Sequence, residues 1–348
     1  MMHPFNKIAT GLLIVVFIVS CKHAVNQKSQ AWSELPGVTK LDILTQTDFV
    51  PTLENSIKNN KNIIYAPAFL FAWNKLSETL GGKIIVDDSN SNDFKLVTRS
   101  TSYQNSMVDS EYLAEVIVDN GEIVARAIFN KTLPFATKLE KAGTPMHFGK
   151  IKVAVFGMYH YDEAIIERSR ILYYNNDNNF ILKLMPRDND HEILFVKGLG
   201  EVTDLAEAIK RTYALIRQGE KERNDQTIVW KYEITPVDIF SIPEIKFNVK
   251  TNYKEIEGQT LSTSGLKGLT ILEASQRTGF ILNENGAEVE SEAMVKMAAD
   301  SSDAPLEIIH PKKMIFDSPF YMIIKHVDIT NPYFVMKVNN TELMKKEN

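Results

Sequence analysis

An α+β fold is what this sequence predicts, on three observations. Strand-like segments rich in β-branched and aromatic residues recur from Ile63 to Phe247. Helix-like runs with Pro or Asn-Gly punctuation stand between them. The chain is 348 residues long and 44% apolar, enough for a large core. Its length allows one or two domains, and no repeat, low-complexity segment or Pro/Gly/Ser-rich linker divides it after Leu41.

From Leu41 to Ile57 the residues Leu41, Ile43, Leu44, Val50, Leu53 and Ile57 fit a helix loosely, with Pro51 at its start or at a kink. Ile63-Ile64-Tyr65 reads as a buried strand, and Ala66-Pro67 opens a helix through Trp73 and Leu76 to Gly81-Gly82. Phe94 to Tyr103 alternates as a strand does, and Ser110 to Val118 reads as a short helix. Asn120-Gly121 is a turn signal ahead of a strand from Ile123 to Lys131. Strands are then expected over Val153 to Met158, Ala164 to Tyr174 and Asn179 to Met185, an amphipathic helix over Leu205 to Ile216, and an alternating strand from Val237 to Phe247.

The start of the chain concerns location. Lys7 precedes an uncharged apolar run from Ile8 to Val19, shorter than the roughly 18 to 20 residues that span a bilayer, and the run ends in Ile18-Val19-Ser20-Cys21. This is similar to a bacterial lipoprotein signal. It implies a cleaved signal peptide over 1–20, lipidation of Cys21, a polar tether over 21–40, and a chain anchored in a bacterial cell envelope, facing the periplasm or the exterior. Cys21 is the only cysteine, so no intrachain disulfide forms. The formal charge of −5 argues against nucleic acid as a partner.

Between Ile271 and Phe320 the chain reads Ile271-Leu272-Glu273, then Phe280-Ile281-Leu282-Asn283-Glu284-Asn285-Gly286-Ala287-Glu288, then Phe316-Asp317-Ser318-Pro319-Phe320. This resembles a serpin, in which a strand ends in an Asn-Glu-x-Gly hinge, small residues lead into an exposed bait loop, and a Phe-x-x-Pro-Phe strand follows. Asn62-Ile63-Ile64-Tyr65-Ala66-Pro67 resembles the family's entry to helix B, and Ile123 to Phe135 its strand 3A with the turn that follows. The resemblance implies one serpin-like domain over 41–348, with a large central sheet A, further sheets and surrounding helices. The stretch between Gly82 and Ile123 is too short for the usual helices C to F.

The resemblance also implies a function. A serpin lets a serine or cysteine protease cut its loop and inserts the freed segment into sheet A as a new strand. It is an inhibitor of endopeptidases rather than an enzyme, and it requires no metal or cofactor. In strand geometry Ala287, Val289, Ser291 and Ala293 share one face and Glu288, Glu290 and Glu292 the other. With Glu284 and Gly286 these small residues form the expected hinge. Read without the resemblance, Ala287 to Ala299 has good helix formers and Asn285 as a cap. Family spacing places the reactive bond near Ala299, Asp300 and Ser301, with Lys296 and Met297 as further candidates because the loop is longer than usual.

Several positions depart from the family pattern. Ala66 replaces the usual Ser, a second helix B Ser falls near Phe71, and the Asn of strand 3A, the Trp after it and the His near the hinge correspond to Arg126, Leu133 and Arg277. A buried polar network under the sheet is therefore expected to be missing, and a non-inhibitory binding or structural lipoprotein is the alternative function. None of the seven histidines lies in a metal-binding spacing such as HExxH, and no P-loop, G-x-G-x-x-G or G-x-S-x-G motif occurs.

Overall fold

Apolar runs such as Phe180-Ile181-Leu182 and Ile193-Leu194-Phe195-Val196 carry no period-2 signal because the sheet they build is buried on both faces. In the computed structural model, residues 35–82, 84–85, 90–119, 122–129, 131–261, 270–287 and 311–347 are described. The largest sheet has seven strands. In spatial order they are β11 (Ser169–Asn176), β12 (Asn179–Leu184), β13 (His191–Lys197), β19 (Phe320–His326), β20 (Phe334–Val338), β3 (Asn62–Tyr65) and β2 (Thr47–Phe49). Ile193, Phe195, Phe320, Met322, Phe334 and Met336 point into one core. Leu194, Val196, Tyr321, Ile323 and Val335 point into another on the opposite face. Burying each such large side chain contributes about 1.5 to 3 kcal/mol.

The first core is closed by two further sheets. One runs β18 (Lys313–Ile315), β14 (Ile239–Pro243), β10 (Val155–Met158) and β7 (Glu140–Lys141). The other runs β1 (Thr39–Lys40), β15 (Ile245–Asn252) and β16 (Ser275–Leu282). Three two-stranded ladders complete the described strands: β4 (Tyr112–Asp119) with β5 (Glu122–Phe129), β6 (Leu133–Pro134) with β17 (Gly286–Ala287), and β8 (Met146–Phe148) with β9 (Ile151–Val153).

The described residues hold four α-helices: α1 (Ala68–Thr79), α2 (Asn92–Arg99), α3 (Glu163–Glu167) and α4 (Leu205–Glu222). The second core is covered by α4, which starts where Asp204 accepts a hydrogen bond from the Glu207 N–H at 2.7 Å, and by the apolar face of α1. Beneath β4 and β5 lies α1, which also touches β16.

Four expectations fail locally. The stretch from Leu41 to Ile57 forms a 3₁₀ turn and β2, because the Glu342 carboxylate takes the N–H groups of Thr45 and Gln46 and directs the chain alongside β3. Over Phe94 to Tyr103 the expected strand is replaced by α2, capped by Ser91 and burying Phe94 and Val97 one turn apart. The expected helix over Ser110 to Val118 is β4, since the β-branched run Val116-Ile117-Val118 pairs residue by residue with β5 up to Asp119↔Glu122. The strand expected from Ala164 begins only at Ser169, because Asp162 caps the short helix α3 with bonds from the N–H groups of Ala164 and Ile165. Between Gly82 and Tyr112, α2 and a 3₁₀ turn at Asp109–Glu111 are the helices described.

Candidate functional site: the hinge and the divided sheet

β15 and β16 pair over eight residues, from Ile245↔Leu282 to Asn252↔Ser275. At the end of β16 the chain reverses through Glu284 and Asn285, with Asn283 bridged to Gly286. The Gly286 N–H donates to the Asn283 carbonyl at 3.1 Å, and the Asn283 N–H donates back to the Gly286 carbonyl at 3.2 Å. β17 then pairs antiparallel with β6, Gly286 opposite Pro134 and Ala287 opposite Leu133. A strand prolonged from Ala287 would therefore run antiparallel both to β16 and to the chain that leads from β5 into β6. Among the described residues β5 and β16 share no ladder, and Gly286–Ala287 pairs with β6, the strand that follows β5 in the chain.

Gly286 is fixed by two constraints. Its φ is +129°, a backbone conformation reserved for glycine. A Cβ there would lie 2.5 Å from the Leu133 carbonyl oxygen and 2.7 Å from the Phe135 nitrogen. The turn is gripped from the other side as well, since Phe135 N–H donates to the Asn285 carbonyl and Leu139 N–H to the Glu284 carbonyl, both at 2.9 Å. Ala287 is 5% exposed and packs in the first core.

The Glu284 carboxylate is buried and meets Lys141 at 3.3 Å and Lys138 at 3.8 Å. Lys141 lies also 3.6 Å from Glu244, which in turn faces Lys345 at 3.4 Å. Burial acts to lower the Lys141 pKa, but Glu244 and Glu284 outweigh it and hold the ammonium above its ordinary value of 10.5. The hinge thus lies beside a row of alternating charges that joins the end of β16 to β7 and to the C-terminal segment.

Of the predicted site residues, Glu284, Gly286 and Ala287 are brought together here. Val289, Ser291, Ala293, Lys296, Met297, Ala299, Asp300 and Ser301 lie outside the described residues, as do Cys21 and the helical alternative over 288–299. Leu133 is 1% exposed and packs in the first core opposite Ala287. Phe71 is buried and stacks on Tyr112, with ring centroids 4.0 Å apart.

Arg126 and Arg277 do not replace interior groups. Arg126 is exposed and pairs with Glu115 on the outer face of β5, and Arg277 is exposed and donates to Asn248 at 2.9 Å. Polar contacts under the sheet persist at the neighbouring positions. Gln276 accepts the Phe69 N–H of α1 at 3.0 Å and donates to Thr278 at 3.0 Å, with Gln276 and Thr278 both buried. The sequence signal for this pair is their i, i+2 spacing, which places both on the inward face of β16.

A chain that turns back beside the end of its own strand, a separate β4–β5 ladder with a helix beneath it, and a seven-stranded sheet that includes the C-terminal strands make up a mixed α+β fold. Three solved structures to which the chain is similar are Serpin48 of the insect Tenebrio molitor, thyroxine-binding globulin in complex with thyroxine, and a tumour-suppressing serpin. Serpin48 aligns with 63% of this chain at 16% identity and a TM-score of 0.34. The other two also align with 63% of it, at 16% and 15% identity and TM-scores of 0.37 and 0.36. The matched part spans just over half of those chains, 55% of the first and 56% of each of the others. No protein-family model matches this sequence, and neither does any curated protein sequence.

Proposed function

We propose that this chain is an inhibitor of serine or cysteine endopeptidases that acts through cleavage within residues 288–310 and insertion of the freed segment between β16 and β5. The observation that carries the reading is that β4–β5 shares no ladder with β15–β16 among the described residues, while Gly286–Ala287, turned back from β16, pairs antiparallel with β6, the strand that follows β5 in the chain. Ala287, Val289, Ser291 and Ala293 are small enough to face the first core in such a strand, with Glu288, Glu290 and Glu292 toward solvent. The protease nucleophile attacks the bait carbonyl, the peptide bond breaks, and its nitrogen leaves as the amine of the new N-terminus. The ester or thioester that remains joins the protease to the segment that moves.

A second reading, a non-inhibitory binding or structural protein, is favoured by one contact. Phe71 stacked on Tyr112 fills the space between α1 and β4 with rigid aromatic surface, which opposes sliding of that ladder. Incubation with trypsin-, elastase-, subtilisin- and papain-like proteases separates the two. The inhibitor reading expects an SDS-stable covalent complex with at least one of them. Cleavage between Lys296 and Ala304 without any complex supports the second reading. In either case we propose that lipidation at Cys21 holds the protein in a bacterial cell envelope, which incorporation of labelled palmitate into wild type and its absence from Cys21→Ser would test.

A further inference from the structure

In β13, β19 and the 3₁₀ turn before β4, three chain segments bring metal-binding side chains together. His191 in β13 and His326 in β19 are direct cross-strand partners, with ring centroids 4.0 Å apart. Glu111, at the end of the 3₁₀ turn that precedes β4, reaches over both. Its Oε2 accepts from His326 Nε2 at 2.6 Å, and its Oε1 lies 3.4 Å from His191 Nε2. Asp188 Oδ2 is also 3.4 Å from His191 Nε2. The three side chains Glu111, His191 and His326 each offer a donor atom within 4.8 Å of the others.

We propose that Glu111, His191 and His326, with Asp188 as fourth donor, form a binding site for one divalent transition metal ion, of which zinc fits the ligand set best. Zinc takes nitrogen and carboxylate oxygen at about 2.0 to 2.2 Å in a tetrahedron, whose edges are then roughly 3.3 to 3.5 Å. Both His191 separations, 3.4 Å to Glu111 and 3.4 Å to Asp188, are that edge. The 2.6 Å His326–Glu111 bond must widen as the ion replaces the shared proton.

The surroundings already hold the donors in place. His191 Nδ1 hydrogen-bonds the buried Tyr333 hydroxyl at 3.0 Å, leaving Nε2 for the ion. Lys131 Nζ sits 2.6 Å from Glu111 Oε1 and 3.3 Å from Asp188 Oδ2, so this ammonium now holds the two oxygens that face His191 and must swing aside as the ion binds, while Glu111 Oε2 faces His326. Two carboxylates against one ammonium leave a net negative charge to receive a dication. The His191 side chain is 1% exposed and those of His326 and Glu111 are 11% and 14%, so the donors lie in partly desolvated surroundings. Because Glu111 leads into β4 whereas both histidines belong to the seven-stranded sheet, a bound ion ties the β4–β5 ladder to that sheet.

The test uses the purified full-length chain carrying Cys21→Ser, stripped of metal and titrated with Co²⁺ by visible absorption and with Zn²⁺ against a chromophoric chelator. One equivalent is expected, with the ligand-field absorption of a four-coordinate site and a higher melting midpoint on Zn²⁺ addition. Glu111→Gln and His326→Asn are expected to weaken binding by more than the roughly 10- to 100-fold that loss of an outer-shell partner costs. Asp188→Asn, at a more exposed position, gives a readout if either of those variants fails to fold, and His147→Ala is the unaffected control. No saturable binding by the parent chain, or binding unchanged in every folded variant of the cluster, overturns the proposal.

Discussion

Replacing Gly286 by alanine tests how the hinge is held. Two routes are open to the variant. If the turn stays in place, alanine must adopt a φ of +129° with its Cβ 2.5 Å from one backbone atom and 2.7 Å from two others. Backbone strain of this kind alone costs about 1 to 3 kcal/mol, and no side chain can rotate to relieve the overlap. If the turn is released at Asn285 and Gly286, with the Leu139 N–H keeping the Glu284 carbonyl, the bonds Gly286 N–H to Asn283 O, Asn283 N–H to Gly286 O and Phe135 N–H to Asn285 O are lost. At about 1 kcal/mol net each this amounts to roughly 3 kcal/mol. The cheaper route sets the effect, so Gly286→Ala should cost about 3 kcal/mol.

Gly149 provides the control, because its φ is +63° and nothing lies within 4 Å of an added Cβ. Gly149→Ala should cost only about 1 to 2 kcal/mol. Urea unfolding measures both, and at roughly 2 °C of melting shift per kcal/mol for a chain this long the midpoints should fall by about 6 °C and about 3 °C. Released hinge residues should also be cut faster by a nonspecific protease. Equal losses in the two variants, with no change in cleavage, would refute the argument that the Leu133–Phe135 backbone confines Gly286.

Other perturbations test the charges around the fold. Lys312 and Asp238 form an ion pair at 2.9 Å with 1% and 0% side-chain exposure, so Lys312→Met should destabilise by about 3 to 5 kcal/mol. Adding Asp238→Asn should recover at least about 1 kcal/mol of that in the same denaturation assay, because the stranded carboxylate is gone. Burial raises the Glu140 pKa, but bonds from the His160 side chain and from the His160 and Tyr159 N–H groups take it below the ordinary 4.5. Stability from this group is therefore present above pH 4.5 and lost as pH falls through the lower folded value, and Glu140→Gln should flatten the acid limb of the stability profile. Lys141 has the opposite sign: its contribution is complete below 10.5 and lost as pH rises through its raised folded value. Lys141→Met should make stability less dependent on pH in that alkaline range.

The parts of the fold legible in the sequence are those where a local pattern and its burial agree. β12, β5 and α1 are readable from apolar runs bounded by turns or by Ala66-Pro67, and the end of β16 from Asn283-Glu284-Asn285-Gly286, though not the reversal that follows it. The expected helices and strands that failed were overridden by capping and pairing partners, most of them near in the chain and one far along it. Glu342 shapes the segment around Thr45 across nearly 300 residues, and β4 is a strand because β5 pairs with it. The polar groups beneath the sheet were misplaced for a similar reason, since Gln276 and Thr278, rather than Arg277, face α1. The His191–His326 pair could not be read at all, because a register between strands separated by more than a hundred residues brings it together.

The most direct test of the insertion account is the stability of the protein after a single cut within residues 288–310. A new central strand between β16 and β5 would add on the order of ten backbone hydrogen bonds at roughly 1 kcal/mol each, so at roughly 2 °C per kcal/mol the melting midpoint should rise by about 20 °C with both fragments retained. An unchanged or lower midpoint in the cleaved protein would contradict it.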